Sequence, residues 1–318
     1  MKLKIVLSFI ILLNVITEVL SQNLQPGQPA PDFKVEKWIK NGGFDHLQKG
    51  KVYIIDLWAI WCTPCIASMP HLSKLQKKYK NSNVEVVGIT NVDAWGNTLE
   101  KVTEFVQKKD TLLDYHIAWV PASMNKDSLC GIFVHPWMQA IGSMNLPTAF
   151  IVDKMGIIAY IGDPLTIDQP LDQLVNDHYD IELAKSNYRS GLQAEALLPK
   201  IDSALNVNNL TTAMHIGNQI LNNFSFVKPN TYLVLSSRIT DTKTMNEALL
   251  SIALTAAKRS LVATQFESPG FYDVVATAYA AKGDYIMAYA LEKMAIVYSD
   301  GEMKRNQMKK LEQYLKRI

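Results

Sequence analysis

The first half of the chain alternates short apolar runs with amphipathic segments. The run Lys51–Ala59 is rich in β-branched and aromatic residues, which is typical of a strand buried on both faces. Helical spacing of Met69, Leu72 and Leu75 predicts a helix directly after it. Further along, the pattern predicts strands at 84–90, 148–152 and 157–161, the last two joined by a Met155-Gly156 turn, and a helix at 99–109. This alternation, ending in a hairpin, predicts an α/β domain with a mixed central sheet flanked by helices.

The second half has helical periodicity and no comparable strand pattern. Helices are predicted at 183–205, 211–224, 244–264, 271–282, 285–298 and 303–318. We therefore expect an α/β domain at 22–178 and an all-helical C-terminal domain at 179–318. In the last helix the apolar residues Met308, Leu311, Leu315 and Ile318 form a stripe, so this helix is expected to dock by that face.

One stretch of the helical half resembles a tetratricopeptide repeat. The aromatic and small residues of that motif are matched by Tyr272, Ala276, Tyr279, Gly283-Asp284-Tyr285, Ala288 and Ala295. The match is partial, because Glu292 takes the place of a large apolar residue and Asp300 that of a proline. Only one unit is visible, so a packed helical hairpin without repeat ancestry is an equal alternative.

The N-terminal 21 residues have the three parts of a secretory signal peptide. Lys2 and Lys4 precede an apolar run from Ile5 to Ile16, and Val19-Leu20-Ser21 supplies a cleavage site before Gln22. That run is shorter than the roughly 17 to 25 residues needed to cross a bilayer, and no later segment contains 18 consecutive apolar residues. We expect a signal peptide at 1–21, no stable membrane span after its cleavage, and a protein exported to the bacterial periplasm or cell envelope.

Composition excludes several classes of function. The 318 residues are 48% hydrophobic and 19% charged, which suits globular domains with sizeable cores. The 32 basic and 30 acidic residues leave a net charge of +2, so there is no electrostatic argument for nucleic acid. The six histidines show no metal-ligand spacing, and three cysteines do not match a structural zinc site, so no metal and no cofactor are expected.

Two of the three cysteines form the motif Cys62-Thr63-Pro64-Cys65 at the predicted turn from strand to helix. Free backbone N–H groups and the positive end of the helix dipole favour a thiolate at Cys62, which predicts that Cys62 is the attacking sulfur. Cys65, three residues on, is close enough to resolve a mixed disulfide on Cys62 and is expected to be the more buried thiol. This pattern predicts a redox-active disulfide.

Asp56 is the only acid in the run Val52–Trp61. A buried carboxylate there would have a raised pKa and could exchange a proton with Cys65. The alternative is that Asp56 only caps the end of the strand.

Several motifs resemble those of the thioredoxins: the run Asp56–Cys65, Pro70, and Leu146-Pro147-Thr148 followed by Ala149–Asp153. A narrower resemblance, to the exported TlpA/ResA-like thiol-disulfide oxidoreductases, rests on Ala30–Phe33, Gly50–Tyr53 and Ile161–Pro164. The resemblance covers about residues 25 to 178, with several separate motifs in the same order.

This resemblance implies a thioredoxin fold in which Pro147 is cis and faces the dithiol. The backbone of Leu146 would pair with an extended substrate segment, and Trp61, Ile60 and Pro64 would form an apolar rim. Trp58 is expected in the core. Because Thr63-Pro64 differs from the Gly-Pro of thioredoxin, the redox potential and the direction of electron flow are not implied.

The leading hypothesis is an enzyme that exchanges disulfides with thiols or disulfides of other exported proteins, together with an upstream protein that donates or accepts electrons. One alternative is a thiol peroxidase of the peroxiredoxin type, although Ala59 stands where those enzymes need threonine. Another is a non-enzymatic peptide-binding module built on the helical domain.

Cys130 is interpreted as a buried small residue, or else as a third thiol that pairs with a partner. For His71 a solvated helix face is favoured over a role beside the thiols.

Overall fold

The computed structural model describes residues 24–31, 33–110, 113–121, 132, 135–142, 145–265, 269–297 and 301–318. The predicted signal peptide and Cys130 lie outside these residues, so both interpretations stay predictions. Within the described part of the chain, no helix combines the length and the apolar character needed to cross a bilayer.

The first half is built on one mixed sheet of six strands. They are β1 (Lys37–Lys40), β2 (Val52–Leu57), β3 (Val84–Thr90), β4 (His116–Trp119), β5 (Thr148–Val152) and β6 (Ile158–Gly162), in the spatial order β1-β4-β3-β2-β5-β6. The central strands β2, β3 and β4 are parallel, whereas β1, β5 and β6 join antiparallel. The predicted mixed sheet and its terminal hairpin β5–β6 are confirmed. Strands β1 and β4, of four residues each, were not predicted, because so short a run shows little periodicity.

Helices cover both faces of this sheet. They are α1 (Thr63–Lys78), α2 (Leu99–Lys108), α3 (Pro136–Ile141) and α4 (Asp168–Val175). Alternate residues of β2 enter different cores: Val52 and Ile54 pack with α1 and α2, while Tyr53, Ile55 and Leu57 pack with α3. Every residue of β2 is buried, as expected for a central strand covered on both faces.

The second half consists of helices. They are α5 (Ile181–Glu195), α6 (Leu198–Asn206), α7 (Leu210–Asn222), α8 (Pro229–Asp241), α9 (Glu247–Ala263), α10 (Pro269–Ala281), α11 (Tyr285–Val297) and α12 (Gly301–Leu315). The predicted all-helical character is confirmed, whereas the boundary at 178/179 and the tetratricopeptide likeness stay predictions.

Three details of the helical half correct the sequence interpretation. The helix expected at 183–205 is two helices, α5 and α6, and Pro199 lies in the first turn of the second, where a proline is tolerated. Helix α8 was not predicted at all.

The expected apolar stripe of α12 is the third correction. Met308, Leu315 and Ile318 are exposed and Leu311 is half-buried, whereas Gln307 and Tyr314 are buried. Tyr314 packs against Tyr285 of α11, and Lys310 pairs with Asp273 of α10 at 2.7 Å. Aromatic packing and this partly buried ion pair therefore orient the helix, rather than the apolar stripe.

Helix α5 belongs to both halves of the molecule. Its Tyr188 lies in the core beneath the sheet with Phe150 and Ile161, whereas its Ala194 lies in the core formed by α6 to α9. Just before α5, the Tyr179 hydroxyl donates a hydrogen bond to the carbonyl of Ala159 on β6. The helical half is thus packed against the sheet at its β5–β6 edge.

Candidate active site

Cys62 and Cys65 form a disulfide at the start of α1, with Cα atoms 5.3 Å apart. Cys62 is the N-cap residue of the helix, and its sulfur accepts a hydrogen bond from the backbone N–H of Cys65 at 3.3 Å. Pro64 lies in the first turn, where its missing N–H costs no helical hydrogen bond. Cys62 is 4% exposed and Cys65 is fully buried. Cys62 is therefore the less buried of the two cysteines.

Asp56 lies on the same sheet face as Val52 and Ile54, which share a core cluster with both cysteines. In β2, side-chain alternation places it on the face that packs against α1. Asp56 is fully buried, and within the described residues neither carboxyl oxygen has a hydrogen-bond partner. Burial, reinforced by the nearby charge of Asp163, raises the pKa of Asp56 to about 8. A carboxyl group with this pKa can hold or accept a proton near neutral pH.

A loop after β3 holds the segment before Cys62 in place. The Trp61 ring nitrogen donates to Asp93 Oδ2 at 2.6 Å, and the backbone N–H of Ile60 donates to Asn97 Oδ1 at 2.9 Å. Trp95 extends the apolar surface, because its ring meets that of Trp61 edge to face at 5.6 Å and is 56% exposed. Sequence reasoning missed this loop. The sequence does carry a signal for it, because polar residues cluster directly after the buried strand β3. Since β3 is parallel to β2, the carboxyl ends of both strands lie at the same edge of the sheet, and this places the loop beside the segment that leads to Cys62.

The Leu146–Pro147 peptide bond is cis, as the thioredoxin resemblance implied. Leu146 and Pro64 line a depression of about 400 Å³ together with Trp61 and Cys62. In the part of the chain that the structure describes, neither the backbone N–H nor the C=O of Leu146 has a hydrogen-bond partner. The structure thus brings Trp61, Pro64, Leu146 and the dithiol to one surface, with Pro147 beside it.

The helical half reaches this surface, which the sequence did not predict. Asn230 of α8 and Met303 of α12 line the same depression as Cys62. A second cavity, of about 440 Å³, shares Pro64, Leu146 and Asn230 with it and continues between Pro147 and α5. No sequence signal pointed to Asn230 or Met303, because their position depends on how two separate halves pack.

His71 corrects a further expectation. It is 7% exposed, and its Nε2 lies 2.8 Å from Asp168 Oδ2 at the start of α4, so the side chain fastens α1 to α4 rather than facing solvent. Among the described residues, no group of three or more His, Cys, Asp or Glu side chains is arranged to hold a metal ion.

Comparisons with known proteins match the half of the chain that carries this site. A family profile described as AhpC/TSA family matches residues 26–161. Protein FixW of Rhizobium leguminosarum is 25% identical over 204 residues, 60% of this chain and 87% of that protein. A thiol-disulfide oxidoreductase ResA of Bacillus thuringiensis is 30% identical over 139 residues, 42% of this chain and 68% of that protein.

Among solved structures, one described as a putative thiol:disulfide interchange protein DsbE from Chlorobium tepidum is 23% identical and has a TM-score of 0.37. The match covers 48% of this chain and 99% of that one. The family assignment rests on the identity and coverage of the ResA relative, together with the disulfide at the start of α1 and the cis-proline loop beside it. The chain belongs to the ResA-like thiol-disulfide oxidoreductases of the thioredoxin superfamily, and it carries an additional C-terminal helical region.

Proposed function

We propose that this enzyme exchanges disulfides with thiols or disulfides of other exported proteins, with Cys62 as the attacking sulfur and Cys65 as the resolving sulfur. The observation that carries the proposal is the Cys62–Cys65 disulfide at the start of α1, beside a depression lined by Trp61, Pro64 and Leu146. Cys62 lines that depression, whereas Cys65 is fully buried behind it.

In the direction that reduces a substrate disulfide, the exchange has two steps. The Cys62 thiolate attacks one sulfur of the substrate disulfide, forming a mixed disulfide and releasing the other sulfur as a thiolate. The Cys65 thiolate then attacks Cys62 Sγ, restoring the Cys62–Cys65 disulfide and releasing the second substrate thiolate. Two electrons pass from the protein to the substrate, and an upstream dithiol protein must return them before the next cycle.

Asp56 is proposed as the group that exchanges a proton with Cys65. The Cys65 thiol must lose its proton to attack, and it is fully buried away from bulk water. Asp56 is buried on the same side of the sheet, and its pKa of about 8 makes the carboxylate available as the pH rises through that value.

The backbone of Leu146 is proposed to pair with an extended segment of the substrate, as in strand addition. Its N–H and C=O have no partner within the described residues, which supports this role. Trp61 and Pro64 are exposed next to it and would supply apolar contact around the attacked sulfur.

Reduction of insulin disulfides tests the proposal. We expect activity in the wild type, its loss in Cys62→Ser, and its retention in the matched control Cys130→Ser. Absence of activity in the wild type would instead support a peptide-binding module. Hydrogen peroxide consumption dependent on Cys62 would support the peroxidase alternative.

Cys65→Ser should accumulate mixed disulfides with its partners, because resolution is blocked while attack is not. Recovering such adducts from the cell envelope, and not from the cytoplasm, would identify the substrates and test the proposed export together.

A further inference from the structure

The cavity between the cis-proline loop and the helical half shares Pro64, Leu146 and Asn230 with the depression over Cys62. Its volume of about 440 Å³ is within the roughly 300 to 1,000 Å³ typical of ligand pockets. The sheet side supplies Ile161, Leu165 and Pro147, and the helical side supplies Leu192, Leu233 and Phe271. The walls are therefore mostly apolar and come from both halves of the chain.

Three charged residues line this cavity: Lys228 and Glu195 pair with each other, and Asp163 accepts a hydrogen bond from the backbone N–H of Leu165 at 2.8 Å. Lys228, at the start of α8, lies 2.7 Å from Glu195 at the end of α5. Glu195 also accepts a hydrogen bond at 3.0 Å from the side chain of Asn145, which precedes the cis-proline loop. Each of these groups has a partner within the protein, so the cavity suits an apolar side chain rather than a charged one.

The position of the cavity relative to the dithiol defines what can occupy it. A segment paired with the backbone of Leu146 would carry its cysteine over Cys62, in the shared depression. Side chains of an extended segment alternate at about 3.3 Å per residue, so a residue a few positions from that cysteine would reach the larger cavity.

We propose that the helical half forms one wall of the substrate site, and that this cavity selects extended protein segments with an aliphatic side chain a few residues from the reacting cysteine. This inference rests on the proposed exchange function and deepens it. Leu192 is the wall residue best suited to a test, because it lines the cavity from α5 and is 38% exposed, so a polar replacement is compatible with the fold.

The test uses short peptides that each hold one cysteine as a mixed disulfide with a coloured aromatic thiol. One series carries leucine at two to five residues from the cysteine, on either side, and the matched series carries serine there. In a single turnover of reduced protein, Cys62 displaces the coloured thiolate and Cys65 then displaces the peptide thiolate. The symmetrical disulfide of the coloured thiol is the small reference substrate.

We expect at least one leucine peptide to react roughly ten-fold faster than its serine partner, because burying a leucine side chain is worth about that factor or more. Leu192→Asp should reduce this preference below about two-fold and leave the rate with the small disulfide unchanged, which also shows that the variant is folded. The matched control Leu183→Asp, on the same helix and 55% exposed, should keep the preference.

Equal rates for every leucine and serine pair in the wild type, with normal reaction of the small disulfide, would overturn the inference and leave the exchange function standing. A full leucine preference in Leu192→Asp would overturn it as well. Failure of the exchange function has a different signature, since the reduced wild type would then react with neither the peptides nor the small disulfide.

Discussion

At the scale of single residues, Asp56 is a fully buried acid whose environment differs strongly from water. It lies fully buried on β2, on the sheet face that packs against α1, and its carboxyl oxygens have no hydrogen-bond partner within the described residues. Burial therefore favours the protonated form and raises the pKa to about 8, against 3.8 for an exposed aspartate.

This pKa difference predicts how the stability depends on pH. Between about pH 4 and pH 8 the unfolded chain has lost the Asp56 proton while the folded protein keeps it, so the stability contributed by this proton falls as the pH rises. Relative to the wild type, oxidised Asp56→Asn should gain on the order of 5 kcal/mol in free energy of unfolding across this interval. Urea unfolding of both proteins measures the difference.

Comparing the two proteins removes contributions from other buried acids, among them Glu292, whose pKa burial raises to about 9. A difference between variant and wild type that is the same at both ends of the pH range would contradict the prediction.

The exchange rate tests the proposed role of Asp56 separately. The wild-type rate should rise with pH through about 8, as the carboxylate becomes able to accept the Cys65 proton, and Asp56→Asn should be slower above that pH. Equal insulin-reduction rates of the two proteins from pH 6 to 9 would remove Asp56 from the mechanism.

At the scale of elements, the loop between β3 and α2 fixes the segment that leads into α1. Asn97 is 1% exposed, and its side chain makes three hydrogen bonds, to the N–H of Ile60, the hydroxyl of Thr90 and the carbonyl of Asn91. One side chain thus connects the end of β3 with the segment between β2 and Cys62.

Asn97→Ala leaves these buried groups without their partner. We expect a loss of about 1–3 kcal/mol in free energy of unfolding, because an unsatisfied buried polar group carries a desolvation cost of that size. Insulin reduction should also slow severalfold, since Trp61 and Cys62 follow directly after Ile60. The matched control is Asn176→Ala, whose exposed side chain makes one local bond to the carbonyl of Asp172, and it should change the stability little. Equal stabilities of the two variants would disprove this account.

At the scale of the whole molecule, α5 couples the two halves. Tyr188 is buried in the core beneath the sheet, and Ala194 of the same helix is buried in the helical core.

The six tryptophans all lie between positions 38 and 137, whereas most of the helical residues of the chain lie after position 180. Tryptophan fluorescence therefore reports on the α/β half, and far-ultraviolet circular dichroism is dominated by the helical half.

Unfolding of the wild type should give coincident transitions by these two probes, because α5 transmits stability between the cores. Tyr188→Ala should lower the free energy of unfolding by about 3 kcal/mol and separate the two transitions, because it removes the side chain by which α5 packs into the core beneath the sheet. The matched control Tyr289→Ala, in a small cluster of α10 to α12, should shift the helical signal without this effect on the sheet core. Coincident transitions in Tyr188→Ala would argue against the coupling.

Local sequence patterns determined the β2–α1 unit and the position of the two cysteines at its turn, whereas the resemblance to the thioredoxins implied the cis-proline loop. For the β2–α1 unit the information lies in short-range apolar periodicity and a helix start, so the chain specifies it before any long-range packing. The same reasoning placed Asp56 on a buried strand and located the helical half.

Only the tertiary structure decided what meets at the dithiol. The hydrogen bond that the Ile60 N–H donates to Asn97 depends on β3 lying beside β2, and the pairing of His71 with Asp168 depends on α1 packing against α4. The wall formed by Leu192 and Asn230 depends on the docking of the helical half at the β5–β6 edge. Such contacts join residues far apart in sequence, and they are set by the total packing of many side chains, which no local pattern encodes.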